Sequence, residues 1–315
     1  MIHILDPQLV RFFTGVVAFL AAATIVAGVL GRRRGDERWQ ATVANLKARI
    51  WAWWVMVAIF AVAVQGRRTA LVLFALVSFF ALREFITLAP TRRGDHHTLF
   101  YAFFAAIPLQ YWLIAADWYG LFSVLIPVYA FLFVPTRSVL SGDTNHFLAR
   151  IATIQWGLMV CVYCISHAPA LLLLQIPGYE GQNAKLLLWL VLVVQMSDVL
   201  QYVWGKLLGR RPVAPTVSPS KTVEGLIGGV ASATLLGALL WPMTPFSPWQ
   251  AAAMALVITL MGFAGGLTMS AIKRDRGVKD FGALIAGHGG MLDRLDSISF
   301  AAPIFFHLTR YFFTP

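Results

Sequence analysis

Ten apolar stretches divide this chain and leave little of it for any other architecture. They fall at about residues 9–30, 50–65, 69–88, 98–115, 120–135, 150–172, 185–204, 225–241, 249–271 and 297–314. Most reach the roughly 18 residues that carry a helix across a bilayer. The second and fifth are short. Hydrophobic residues make up 59% of the 315 residues and charged residues only 12%, against roughly 25% charged in a soluble domain. The expected fold is therefore all-α: a polytopic integral membrane helix bundle with about ten transmembrane helices and a core in lipid. No internal repeat, low-complexity tract or soluble domain stands out.

The formal charge of +11 sits in loops. Lys and Arg concentrate in 32–49, 89–97, 136–150, 205–224 and 272–296, while 116–119, 173–184 and 242–248 carry none. Counting helices puts the five basic loops on one side, which makes that side cytoplasmic and both termini external. Arg67 and Arg68 are the exception. Basic residues divided among short loops suit anionic headgroups and anionic substrates and argue against nucleic acid. Phe12 to Leu30 exceeds a signal-peptide core, and Gly31-Arg-Arg-Arg34 follows it like a stop-transfer flank, so a cleaved leader is not expected. Cys161 and Cys164 form a C-x-x-C inside an apolar run; with no second pair to complete a zinc site, they read as packing residues. Arg83 and Glu84, near a helix end, read as snorkelling or paired. His167 and His307 read as isolated structural side chains.

The densest charged segment is 270–296. It holds Lys273, Arg274, Arg276 and Lys279, the acids Asp275, Asp280, Asp293 and Asp296, and a central His288-Gly289-Gly290. Lys and Arg neutralise phosphate oxygens, paired glycines let backbone N–H groups approach an anion, and carboxylates hold Mg²⁺ that bridges to substrate phosphates. If Met291 opens a helix, Asp293 and Asp296 at i, i+3 lie on one face, close enough to share a metal, with Arg294 pointing away. The helix N-terminus after Gly290 adds partial positive charge where a phosphate could sit. The plain alternative is a topological basic loop whose acids offset its charge. Topology, however, asks for neither His-Gly-Gly nor two acids at i, i+3.

Asp198 is a second signal. It stands about six residues, or roughly 9 Å, inside the end of the seventh stretch, where an acid is costly and by default functional. Gly205-Lys206, Gly209-Arg210-Arg211 and Ser218-Pro-Ser-Lys-Thr-Val-Glu-Gly225 follow. Lys221, Thr222 and their neighbours suit a nucleotide phosphate, while Pro212, Pro215 and Pro219 forbid a continuous helix. An ordinary cytoplasmic turn is the alternative for this loop taken alone.

These two segments together resemble the CDP-diglyceride synthetases, also called phosphatidate cytidylyltransferases. Their C-terminal signature is Ser, two residues, Lys-Arg, four residues, Lys-Asp, then His-Gly-Gly, two residues, Asp-Arg, one residue, Asp. It is matched at Ser270, Lys273, Arg274, Lys279, Asp280, His288, Gly289, Gly290, Asp293, Arg294 and Asp296. The upstream pattern is matched at Asp198, Gly205, Lys206, Ser218, Pro219, Lys221, Thr222 and Gly225. The likeness is strong over about 195–300. It divides the chain into N-terminal transmembrane helices, 1–180, and a C-terminal catalytic region with cytoplasmic loops, 181–315. Departures stand at Ala286, where Pro or Gly is usual, at Gln201, where Ala is usual, and at Gly266 and Met269, where many relatives carry a metal-binding Asp and a Glu.

The resemblance implies transfer of CMP from CTP to phosphatidate, giving CDP-diacylglycerol and pyrophosphate. The expected setting is a bacterial inner membrane with the site at its cytoplasmic face, and a homodimer is an open option. The attacking phosphate oxygen is already anionic, so positioning and charge neutralisation carry the reaction. Asp293, Asp296 and Asp198 are the expected ligands of Mg²⁺, with a second cation allowed. Lys221, Lys273, Arg274 and Lys279 neutralise phosphates; Lys206, Thr222, Gly289, Gly290 and Arg294 line the substrate. Ser218, Ser270 and His288 are candidate donors, and Asp280 orients Lys279. Gly266 leaves two accounts. Either the site is incomplete, or the remaining acids carry the cation with Asp198 of added weight. The second is favoured, because the rest of the signature is intact. The rivals are another CTP-dependent lipid enzyme, such as a polyprenol kinase or a cytidylyltransferase for a different lipid phosphate, a silent lipid-binding scaffold, and a transporter. A transporter should concentrate polarity near the bilayer midplane, whereas here it concentrates at one interface.

Overall fold

The computed structural model describes residues 7–32, 37–63, 65–282 and 289–315. Among these, the ten apolar stretches become ten helices. They are α1 (Pro7–Arg32), α2 (Glu37–Ala63) and α3 (Arg67–Thr87), then α4 (Arg93–Ala115), α5 (Tyr119–Val139) and α6 (Phe147–Leu173). α7 (Asn183–Leu208), α8 (Val223–Leu239), α9 (Pro248–Asp275) and α10 (Leu292–Phe313) complete the order. Seven of them, α1, α3 to α7 and α9, are long and apolar enough to cross a membrane, so the expected count of about ten spans is not confirmed. The other three differ for physical reasons. α8 has 17 residues, about 25 Å by helical rise against a hydrocarbon core of about 30 Å. α10 carries Asp293, Arg294 and Asp296 in its first turns. The apolar part of α2 is only Trp53–Ala63.

Local chemistry sets the boundaries. Ser247-Pro-Trp-Gln250 opens α9 as a capping box: the Gln250 N–H donates to Ser247 Oγ, and the Ser247 N–H donates to Gln250 Oε1, with Pro248 in the first turn. Thr222 opens α8 by accepting from the Gly225 N–H at 3.1 Å. Between α7 and α8 the prolines prevent a helix, and the chain folds instead into a hairpin, β1 (Pro212–Ala214) against β2 (Ser218–Thr222), antiparallel with Ala214 opposite Ser218. α4, α5 and α6 each contain a π-helical turn. Pro108 and Pro127 mark two of these, where a missing N–H interrupts the ladder. Cys161 and Cys164 lie in the third as free thiols, Cys161 fully buried.

The core runs from Leu71 in α3 to Phe306 in α10. Near its centre, Trp189 of α7 stacks on Phe305 of α10, with ring centroids 5.3 Å apart, and donates its indole N–H to Gly237 O of α8. His167 and His307 are not isolated: their rings lie 5.0 Å apart, and His307 Nδ1 meets the Tyr119 hydroxyl at 3.3 Å. Elsewhere a buried ion pair clips three helices together. Arg150 Nε of α6 meets Asp95 Oδ2 of α4 at 2.9 Å, and Ser138 of α5 donates to Asp95 Oδ1.

Two close approaches position the charged residues. A Cβ on Gly229 of α8 would stand 2.3–2.6 Å from Gln201 of α7, and one on Gly265 of α9 would stand 2.5 Å from Asp296 O of α10. Glycine at these points lets the helix backbones approach closely, the packing mode of helices in lipid. The hairpin end is thereby brought onto α7, and the start of α10 onto α9.

Candidate active site

Asp198 projects from α7 with ten residues of helix beyond it, about 15 Å of rise rather than the 9 Å expected. Its partner comes from α10. Ser297 Oγ donates to Asp198 Oδ2 at 2.7 Å and lies 3.5 Å from Asp296 Oδ1, while the Ser297 N–H donates to that same Asp296 oxygen at 2.8 Å. One hydroxyl thus stands between two carboxylates. Both acids line a cavity of about 260 Å³ together with Lys221, Thr222, Phe263, Gly266 and Asp293. The Lys221 ammonium sits over the Phe263 ring, 5.1 Å from its centroid. Burial pulls the Lys221 pKa below its ordinary value, against the opposing pull of Asp198 and Asp296.

Asp293 faces the same cavity but is held by the protein. Its Oδ1 pairs with Lys273 Nζ at 2.7 Å, and its Oδ2 accepts from the Phe281 and Gly290 N–H groups at 2.8 and 2.9 Å. The anion that the glycine pair approaches is therefore Asp293 itself. Nor is the N-terminus of α10 open to a phosphate. Glu84, from α3, accepts from the Met291 and Leu292 N–H groups, each at 2.9 Å. A carboxylate of the protein's own supplies the negative charge that this helix end favours.

The remaining expected residues surround this centre. Ser270 Oγ donates back to Gly266 O at 2.6 Å. Arg274 Nε reaches Val217 O, which ties the hairpin to the end of α9. Lys279 and Asp280 are exposed. Lys206 is exposed over the Tyr202 ring, and Ser218 begins β2. Gly289 adopts φ of 83°, a left-handed conformation that glycine takes without strain. Arg294 O accepts from Gln195. His288, with Ala286 and the basic-loop residues Arg33 and Arg34, lies outside the described residues.

Among the described residues, no three His, Cys, Asp or Glu side chains converge on one point as a metal-binding group. Asp198, Asp296 and the Ser297 hydroxyl nonetheless form a hard oxygen donor set around a cavity. Mg²⁺ typically takes one or two carboxylates and completes its shell with water and substrate phosphate, so these residues fit such an ion. The sequence pointed to Asp198, Asp296 and Lys221, but not to three further contributors. Glu84 was visible only as a charge at the end of an apolar helix. Ser297 carried no signal beyond standing next to Asp296, and Phe263 none at all.

Residues 47–312 match the Cytidylyltransferase family. The chain is 43% identical over 305 residues to the uncharacterized protein YnbB of Escherichia coli strain K12, covering 94% of this chain and 97% of that one. It is 30% identical over 193 residues to the phosphatidate cytidylyltransferase of Staphylococcus aureus strain COL, 59% of this chain and 74% of the relative. With the phosphatidate cytidylyltransferase of Helicobacter pylori strain ATCC 700392 / 26695 it shares 40% identity over 157 residues, 46% of this chain and 58% of that one. The paired carboxylates, the lysine facing them and this match over most of the chain make it a multi-pass membrane nucleotidyltransferase that belongs to the cytidylyltransferase family.

Proposed function

We propose that this chain transfers CMP from CTP to phosphatidate, at the cytoplasmic face of its membrane. The observation that carries the reading is the single cavity where Asp198, Asp296 and Lys221 face one another. Two acids and one ammonium at a buried interface suit a bound polyphosphate and have little use in packing alone. An oxygen of the lipid phosphate forms the new bond to the α-phosphorus of CTP. The bond from that phosphorus to the bridging oxygen breaks, and pyrophosphate leaves with the electron pair. The nucleophile is already anionic, so no side chain need remove a proton. Lys221 neutralises phosphate oxygens as charge shifts toward the leaving group. Thr222 caps α8 and fixes the backbone from which Lys221 extends. Lys273 holds Asp293, and through it the backbone at Phe281 and Gly290. Asp198 and Asp296 would hold Mg²⁺, which supplies electrostatic stabilisation of the transferring phosphoryl group. The concentration of Lys and Arg in the loops beside this cavity supports the cytoplasmic assignment.

The test is incubation of the detergent-purified protein with CTP, Mg²⁺ and a panel of lipid phosphates, with products separated by chromatography. A CDP-lipid formed from phosphatidate supports the proposal. A CDP-lipid formed only from another lipid phosphate reassigns the substrate, and a phosphorylated lipid alcohol replaces the reading with a kinase.

A further inference from the structure

Gly266 lies in α9 against the cavity, and its missing side chain has a definite consequence. A Cβ there would stand 2.8 Å from Lys221 Nζ, 3.5 Å from Ser297 Oγ and 3.9 Å from Asp296 Oδ2. The last two are ordinary contacts and only the first is too short. The Lys221 ammonium therefore takes the space that a side chain at 266 would fill, in the cavity that Asp198 and Asp296 also line. Its root is fixed, because Thr222 is anchored as the cap of α8. Its tip rests on the face of Phe263. Lys273, the neighbouring cation, is paired with Asp293 at 2.7 Å and also bears on Asp296 from that place; Lys221 is the lysine that lines the cavity beside both Asp198 and Asp296.

We infer that Lys221 is a built-in counter-ion, admitted by Gly266, that keeps Asp198 and Asp296 from holding a divalent cation on their own. The cation then arrives with the nucleotide. A divalent ion brought between the two acids meets the lysine's positive charge in a partly buried site, where such repulsion is poorly screened. A bound triphosphate changes the balance: its oxygens draw the flexible lysine tip toward themselves and supply the ligands that complete the ion's shell. The inference rests on the reading of this cavity as the nucleotide site, but its test contains neither nucleotide nor lipid.

The experiment is Mn²⁺ binding to the detergent-purified full chain, read by electron paramagnetic resonance of the free ion. Three proteins are compared: wild type, Lys221→Gln and Gly266→Ala. The alanine keeps the lysine but moves its tip aside, and it guards against misfolding of the first variant. Both variants are expected to bind Mn²⁺ at least about tenfold more tightly than wild type, the scale of one opposing charge removed from a partly buried site. Adding Asp296→Asn to Gly266→Ala is expected to abolish the gain. The inference is overturned if helical Gly266→Ala protein binds Mn²⁺ no better than wild type, or if the gain survives Asp296→Asn. These outcomes are read whether or not CMP transfer is found, so failure of one claim is distinct from failure of the other.

Discussion

Glu84 offers the sharpest perturbation, because its carboxylate is the acceptor that the structure gives to the Met291 and Leu292 N–H groups. Glu84→Ala leaves both donors without an acceptor at a half-buried helix start. Each loss costs about 1–3 kcal/mol, so the junction of α3 with α10 should weaken by about 2–6 kcal/mol. The cost is local, since the core around Trp189 and Phe305 is untouched. Hydrogen exchange followed by mass spectrometry on the detergent-solubilised protein reads it directly. A 2 kcal/mol loss makes exchange at residues 291–292 about 30-fold faster. Glu84→Gln should fall between, because one oxygen still accepts while the amide N–H₂ faces a second donor. Asp293 and Asp296 follow this junction by one and four residues, so a displacement of about 1 Å reaches both acids. Turnover should fall by about 10²-fold. If exchange at 291–292 stays within about twofold of wild type in Glu84→Ala, Glu84 is not what holds this helix end.

Other outcomes separate the three acids from one another. Asp198→Asn and Asp296→Asn should each lower turnover by at least about 10²-fold without lowering the thermal unfolding temperature. Asp293→Asn breaks the pair with Lys273, and should cost about 3–5 kcal/mol of stability in detergent unfolding as well as activity. Ser297→Ala removes a hydrogen bond to a charged carboxylate, worth about 1.5–3 kcal/mol; turnover should drop about tenfold or more while circular dichroism stays unchanged. Asp95→Ala removes the fully buried acid from Arg150, which keeps Asp143 at 3.3 Å, and should cost about 1.5–3 kcal/mol, with turnover per folded molecule retained at low temperature.

The sequence made the class of fold legible because spanning helices have an unmistakable pattern of apolar runs. It did not fix the number of spans. α8 is too short by itself and α10 starts with acids, and hydropathy alone does not say how either is accommodated. Asp198 was legible because an acid deep in an apolar run is costly and therefore stands out. Asp296 and Lys221 were legible from their motifs. Glu84 and Ser297 were not, since their work depends on contacts with residues 207 and 99 positions away. The helix end after Gly290 favours negative charge, as the sequence implies, but it does not hold the phosphate expected there. Its anion is Glu84, a partner that only the packing of α3 against α10 reveals. The departure at Gly266 was visible as an absence, and it took the structure to show that Lys221 fills the space.

The most direct test of the account is the fate of labelled phosphorus. Purified protein is incubated with phosphatidate, Mg²⁺ and CTP carrying ³²P at either the α or the γ position, beside Asp296→Asn as control. The account predicts that α-label enters the lipid fraction, that γ-label is released as pyrophosphate, and that Asp296→Asn slows both by at least about 10²-fold. Label from the γ position in the lipid, or α-transfer undiminished in Asp296→Asn, would contradict it.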